Sequence, residues 1–92
     1  MVRPGQLVTS TAGRDRGKQY LVVGSSPDGT ALVADGQGRG MDRPKRKNVK
    51  HLVVHQLIAE EIAAKLAEAG TVSDEEIREA LMNLTQRHRG GL

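Results

Sequence analysis

Apolar positions follow two rhythms along this chain. Up to residue 55 they come in short runs broken by glycine, proline or charge; from residue 58 they recur every three or four positions. In the first half, Gln6, Val8 and Ser10 alternate with Leu7 and Thr9, a weak strand pattern. QYLVVG (19–24) is a compact β-rich run, TALVA (30–34) a third strand and HLVVH (51–55) a last one. SSPDG (25–29) sets proline, aspartate and glycine in the order a tight turn prefers. Asp35-Gly36 is a hairpin signal. Gly38 and Gly40 predict a short or distorted strand after it, and Pro44 excludes a helix interior, so DRPKRKNVK (42–50) is extended or looped.

The second half is helical. Ile58, Ile62, Leu66 and Ala69 fall at helical intervals, and Gly70 is a natural stop. Ser73, followed three residues later by Glu76, forms a capping box, with Asp74 and Glu75 suited to the positive end of the helix dipole. Ile77, Ala80, Leu81 and Leu84 give the buried stripe. Two helices of about twelve residues are marginal alone, so they should pack against the strands or each other. The expected fold is mostly β with α, a small SH3-like β-barrel of four or five strands followed by two short C-terminal helices. Its expected parts are a barrel over 1–55, a helical pair over 56–87 packed on it in a single compact domain, and a flexible tail over 88–92.

Composition narrows the function classes. Ninety-two residues allow one small domain with a modest core. There is no cysteine, which removes disulfides, thiolate catalysis and cysteine-zinc sites together. No apolar run approaches the roughly twenty residues that span a bilayer. MVRPGQLVTS lacks the apolar stretch of a secretory signal, so a cytoplasmic chain without membrane partners is expected. Charge is divided unevenly: residues 1–55 hold ten Lys or Arg against four Asp or Glu, and residues 56–92 hold four against seven. A net +6 followed by a net −3 suggests one surface for a polyanion and another for solvent or partners. Tyr20 is the only aromatic residue, too little for a base-stacking platform.

Catalytic and metal patterns fail when examined one by one. A Walker loop needs four residues between its glycines and then Gly-Lys-Ser/Thr; three separate Gly13 from Gly17, Gln19 replaces the hydroxyl, and a strand follows instead of a helix. His51 and His55 have neither an HExxH context nor a cysteine pair, so no metal site is expected. Ser25 and Ser26 are not set in G-x-S-x-G, and Asp74, Glu75 and Glu76 read as helix-start capping groups. No enzyme, cofactor or small-molecule substrate is expected.

Two basic segments remain. RPKRKNVK (43–50) crowds Arg43, Lys45, Arg46, Lys47 and Lys50 where proline bars a helix; AGRDRGKQ (12–19) carries Arg14, Arg16 and Lys18 between two glycines. Loops distant in sequence can converge on one rim of a small antiparallel barrel, where arginine forks and mobile lysines would meet phosphate oxygens.

These residues also carry a resemblance. Gly5-Gln6-Leu7-Val8, Ala12-Gly13-Arg14-Asp15-Arg16-Gly17-Lys18 and Tyr20-Leu21-Val22-Val23 resemble a KOW motif, a strand, basic glycine loop and strand within an SH3-like barrel. Val33-Ala34-Asp35-Gly36, Arg43-Pro44, Asn48, Lys50-His51-Leu52 and the helix SDEEIREAL resemble the archaeal/eukaryotic-type large-subunit ribosomal protein 14 family and similar bacterial KOW-domain RNA-binding proteins. The resemblance implies RNA binding, with large-subunit ribosomal RNA as partner, ribosomal proteins as further neighbours, and no catalysis. It makes Gly13, Arg14, Gly17 and Lys18 the loop positions, to which the residue pattern adds the charge of Arg16, and Arg43, Lys45, Arg46, Lys47, Asn48, Lys50 and His51 the second RNA-facing segment. Arg39 joins this set, although Gly38-Arg39-Gly40 is richer in glycine than the family pattern. The alternative it leaves open is a KOW protein-interaction module, with acidic helices engaging a basic protein of the ribosomal or transcription machinery.

Overall fold

The computed structural model describes residues 2–90, with side chains over 2–86. Five strands, β1 (Gln6–Ser10), β2 (Gln19–Ser25), β3 (Thr30–Ala34), β4 (Lys45–Asn48) and β5 (Leu52–Ile58), form one antiparallel sheet in the order β4-β3-β2-β1-β5. A 3-10 turn, Val49–His51, joins the two edge strands, and helices α1 (Glu60–Ala69) and α2 (Asp74–Gly90) follow. This is a small SH3-like β fold with two helices added. The register shifts between Gln6 and Val8 and between Val22 and Gly24, and such bulges bend strands and increase their twist.

Two apolar clusters lie on opposite faces of the bent sheet. Val2, Val8, Tyr20, Val22, Ala31, Val33 and Leu52 fill its interior. Leu7 and Leu21, the sequence neighbours of Val8 and Tyr20, face the other way and pack with Ala59, Ile62, Val72, Ile77, Ala80 and Leu84 under the helices. β1 and β2 are therefore buried on both faces, which is why β1 shows so little apolar-polar alternation. The burial of Ile62, Ile77 and Leu84 against the sheet supplies the stability that helices this short lack alone.

The helix signals behave as their chemistry dictates. Gly70 closes α1 at φ +78°, its N–H donating to Leu66 O. Ser73 and Glu76 form the reciprocal box: Glu76 N–H donates to Ser73 Oγ at 3.1 Å, and Ser73 N–H to Glu76 Oε1 at 3.0 Å. Lys65 of α1 pairs with the Glu76 carboxylate, and this ammonium together with the Ser73 N–H holds that carboxyl down at about 2. Boundaries moved in three places. Ile58, the first helical position by spacing, ends β5; His51 lies in the 3-10 turn, not in the last strand; and α2 stays helical through Gly90. Of the tail expected over 88–92, Gly91 and Leu92 lie outside the described residues. No described helix is long and apolar enough to cross a membrane.

Candidate nucleic-acid interface

The β1–β2 loop is a compact bend built around an inward-turned acid. Gly13 (φ +85°) and Gly17 (φ +88°) take backbone conformations that side chains disfavour. They allow Gly17 N–H to reach Ser10 O at 2.8 Å, and Lys18 N–H to reach Asp15 O at 2.9 Å. Nothing lies within 4 Å of a Cβ built on Gly17, so the loop's outer backbone faces open space. Asp15, between two exposed arginines, is only 8% exposed.

Asp15 gathers four donors. Ser10 Oγ donates to Oδ1 at 3.0 Å and the Tyr20 hydroxyl to Oδ2 at 2.8 Å. From β4, Lys47 Nζ reaches Oδ1 at 3.2 Å and Lys45 Nζ reaches Oδ2 at 3.4 Å. Lys47 Nζ also donates to Ala12 O at 3.1 Å. In the sheet, β4 is separated from β1 by β3 and β2, so it is the sheet's curvature that brings Lys47 to this loop. Burial pushes the Asp15 carboxyl up, but the donors Tyr20, Lys47, Ser10 and Lys45 outweigh it and hold the group well below the usual carboxylate range. Burial, then the bond to Asp15 and its charge, pushes the Tyr20 phenol well above its ordinary value. Among the described residues no buried side-chain nitrogen or oxygen lacks a partner.

The sequence treated the cations of the two segments alike; the structure sorts them. The pleat of β4 turns Lys45 and Lys47 toward the loop and Arg46 and Asn48 the other way. Lys47 is committed to protein, with a side chain 9% exposed. Lys18 pairs with Asp35 Oδ2 at 3.3 Å, its ammonium 5.8 Å from the Tyr20 ring centre. Asn48 caps the 3-10 turn, Oδ1 accepting from Lys50 N–H at 3.0 Å. Arg14, Arg16, Arg43, Arg46, Lys50 and His51 are exposed. Arg16 Nε donates to Thr11 O at 3.2 Å, and Arg46 Nη1 lies 3.5 Å from Thr30 Oγ1. His51 O accepts from Thr11 N–H at 2.9 Å, which ties the 3-10 turn to the start of the loop. The two basic segments thus meet at Asp15, with Arg14 and Arg16 exposed on the loop, Lys50 and His51 exposed on the 3-10 turn tied to its start, and Arg46 on the opposite side of β4.

Arg39 stands apart, half-buried in the β3–β4 loop. That loop is held by Asp35, whose Oδ1 accepts from Gln37 and Arg39 N–H at 2.9 Å each. It is also held by Asp74 at the start of α2, whose Oδ1 accepts from Met41 N–H at 2.8 Å. A Cβ on Gly36 would stand 2.4 Å from Asp74 O, and one on Gly40 2.9 Å from the Asp74 carboxylate. The glycines around Arg39 therefore admit the helix. Asp74, read from sequence as a helix-start capping group, is a loop anchor.

Asp15, Ser10 and Tyr20 are absent from the RNA-contact residues that the sequence suggests. Their signal was an acid within a basic loop, flanked by the chain's one tyrosine and a serine at a strand end. Among the described residues no group of three His, Asp or Glu side chains could hold a metal ion.

No protein-family model matches the chain. Over 70 residues it is 31% identical to the putative ribosome-binding protein YbzG of Bacillus subtilis strain 168, an alignment covering 76% of this chain and 95% of that relative. At that identity, across nearly the whole relative, the chain belongs to the family of YbzG.

Proposed function

We propose that this protein associates with the ribosome by binding structured ribosomal RNA of the large subunit, as a non-enzymatic KOW-type module that grips mainly the phosphate backbone. The observation that carries this reading is the meeting of the two basic segments at Asp15, which leaves Arg14, Arg16, Arg43, Arg46 and Lys50 exposed. Gly17, with open space before it, lets the loop backbone approach a phosphate closely. The relative's ribosome-binding name supports the same partner. Tyr20, the one aromatic ring, is buried in the sheet interior, so bases have no platform to stack on and sequence selectivity is modest.

Five neutralised phosphates correspond to a slope of log K against log salt of about −3 to −5. Sedimentation of the full chain with ribosomes tests the reading. Co-migration with large subunits at low salt, lost at high salt and lost when Arg14, Arg16, Arg43 and Arg46 are all changed to Glu, is expected. Co-migration that survives both, or capture on a protein after nuclease treatment, would replace RNA with a protein partner.

A further inference from the structure

An acid in the middle of a loop that meets a polyanion is electrostatically misplaced: its charge repels phosphate, and Coulomb's law alone favours a neutral residue there. Asp15 nevertheless occupies that position, flanked by Arg14 and Arg16, and its four donors come from three strands. Ser10 ends β1, Tyr20 lies in β2, and Lys45 and Lys47 belong to β4, so one carboxylate spans three strands. No hydrogen-bonded ladder joins β4 to β1 or β2. Among the described residues, the loop and β4 are tied by Lys45 and Lys47 to Asp15, together with Lys47 to Ala12 O.

We propose that Asp15 is the positioning residue of the RNA-binding loop, locking it to β4 so that Arg14 and Arg16 are held in register for one RNA surface. The inference rests on the RNA reading above. In free solution the locked loop forfeits its conformational entropy before binding, so RNA need not order it. The acid's repulsion is offset because its charge is already matched by the two lysines. Removing this negative charge therefore weakens binding to a polyanion, the reverse of what net charge predicts.

The test compares wild type, Asp15→Asn and Lys47→Met, each as the full chain, in binding to purified large-subunit ribosomal RNA across a salt series. Circular dichroism and urea unfolding identify the folded fraction. Folded Asp15→Asn is expected to bind about tenfold more weakly, with the salt slope shallower by about 2 because Arg14 and Arg16 no longer engage in register. In the Asp15→Asn background, Arg14→Gln with Arg16→Gln is then expected to cost less than about threefold, against about tenfold in wild type. A purely structural role would lower the folded fraction and leave both the slope and this coupling unchanged. Should Asp15→Asn not fold, Lys47→Met, which keeps the carboxylate and its bonds to Ser10, Tyr20 and Lys45, must show the same loss of slope and coupling. Equal or tighter binding with an unchanged slope in a folded variant overturns the role of Asp15 and leaves the RNA reading standing. Failure of the wild type itself to bind RNA overturns both.

Discussion

The β1–β2 and β3–β4 loops share a composition and differ in use. Both are rich in glycine, both mix an aspartate with basic residues, and both join antiparallel strands. In the first, Asp15 turns inward to side chains of other strands, Gly13 and Gly17 sit at positive φ, and Gly17 has open space beyond. In the second, Asp35 caps its own loop's amides, and Gly36 and Gly40 make room for the first turn of α2. The lesson is that glycine and aspartate in a basic loop have two possible meanings, presentation outward or accommodation inward. Only what stands in front of the missing Cβ separates them. By that criterion the proposed function assigns binding to the first loop, and the second is a scaffold.

The largest effect should separate the two aspartates. Asp15→Ala leaves the Lys47 ammonium buried without its ion pair and should cost about 3–5 kcal/mol in urea unfolding. Asp35→Ala removes the acceptor of two loop amides and a partner of the half-exposed Lys18, and should cost only about 1–2 kcal/mol. Equal costs would erase the distinction between clamp and cap.

Next come the glycines. Gly36→Ala drives a Cβ to 2.4 Å from Asp74 O at positive φ and should cost about 3 kcal/mol or more, with RNA affinity of the folded protein unchanged. Gly17→Ala meets only backbone strain, about 1–2 kcal/mol. Gly17→Val should fold and yet lose RNA affinity without the loss of any charge. A Gly17→Val protein that binds normally would remove the close-approach role.

Acidification gives a finer comparison. Both Asp15 and Asp35 have folded carboxyls below their ordinary values, so each contributes stability above about pH 4, the unfolded value, that is lost as pH falls through the folded value. Asp15→Asn should therefore flatten the acid limb of the stability profile below about pH 4 more than Asp35→Asn does. An unchanged limb in Asp15→Asn would mean that the carboxylate is not held by its four donors. Smallest is the helix cap: Ser73→Ala should cost about 1 kcal/mol with no effect on RNA affinity.

Much of this architecture was legible in the sequence because local chemistry and tertiary demand agreed. The Ser73–Glu76 box, the Gly70 stop and the strand at 30–34 need no long-range information. What was not legible depended on curvature. Nothing in RPKRKNVK says that Lys47 is buried and Arg46 exposed until β4 is a strand whose pleat faces the first loop. Ile58 has helical spacing from Ile62, yet its pairing with Gln6 keeps it in β5, since ladder bonds outweigh a one-turn gain in helix. The family resemblance makes Asn48 an RNA-facing position but says nothing of its second task, the capping of the 3-10 turn. The convergence of the two basic segments followed from barrel topology, whereas the acid that joins them did not announce itself.

NMR titration of the isotopically labelled full chain with large-subunit ribosomal RNA fragments shows whether the two basic segments bind RNA as one surface. The predicted result is that the amides of 11–18 and 45–51 shift together, at one stoichiometry and one apparent affinity, while those of Glu60–Ala69 stay in place. Shifts confined to a single basic segment, or centred on the acidic helices, would contradict it.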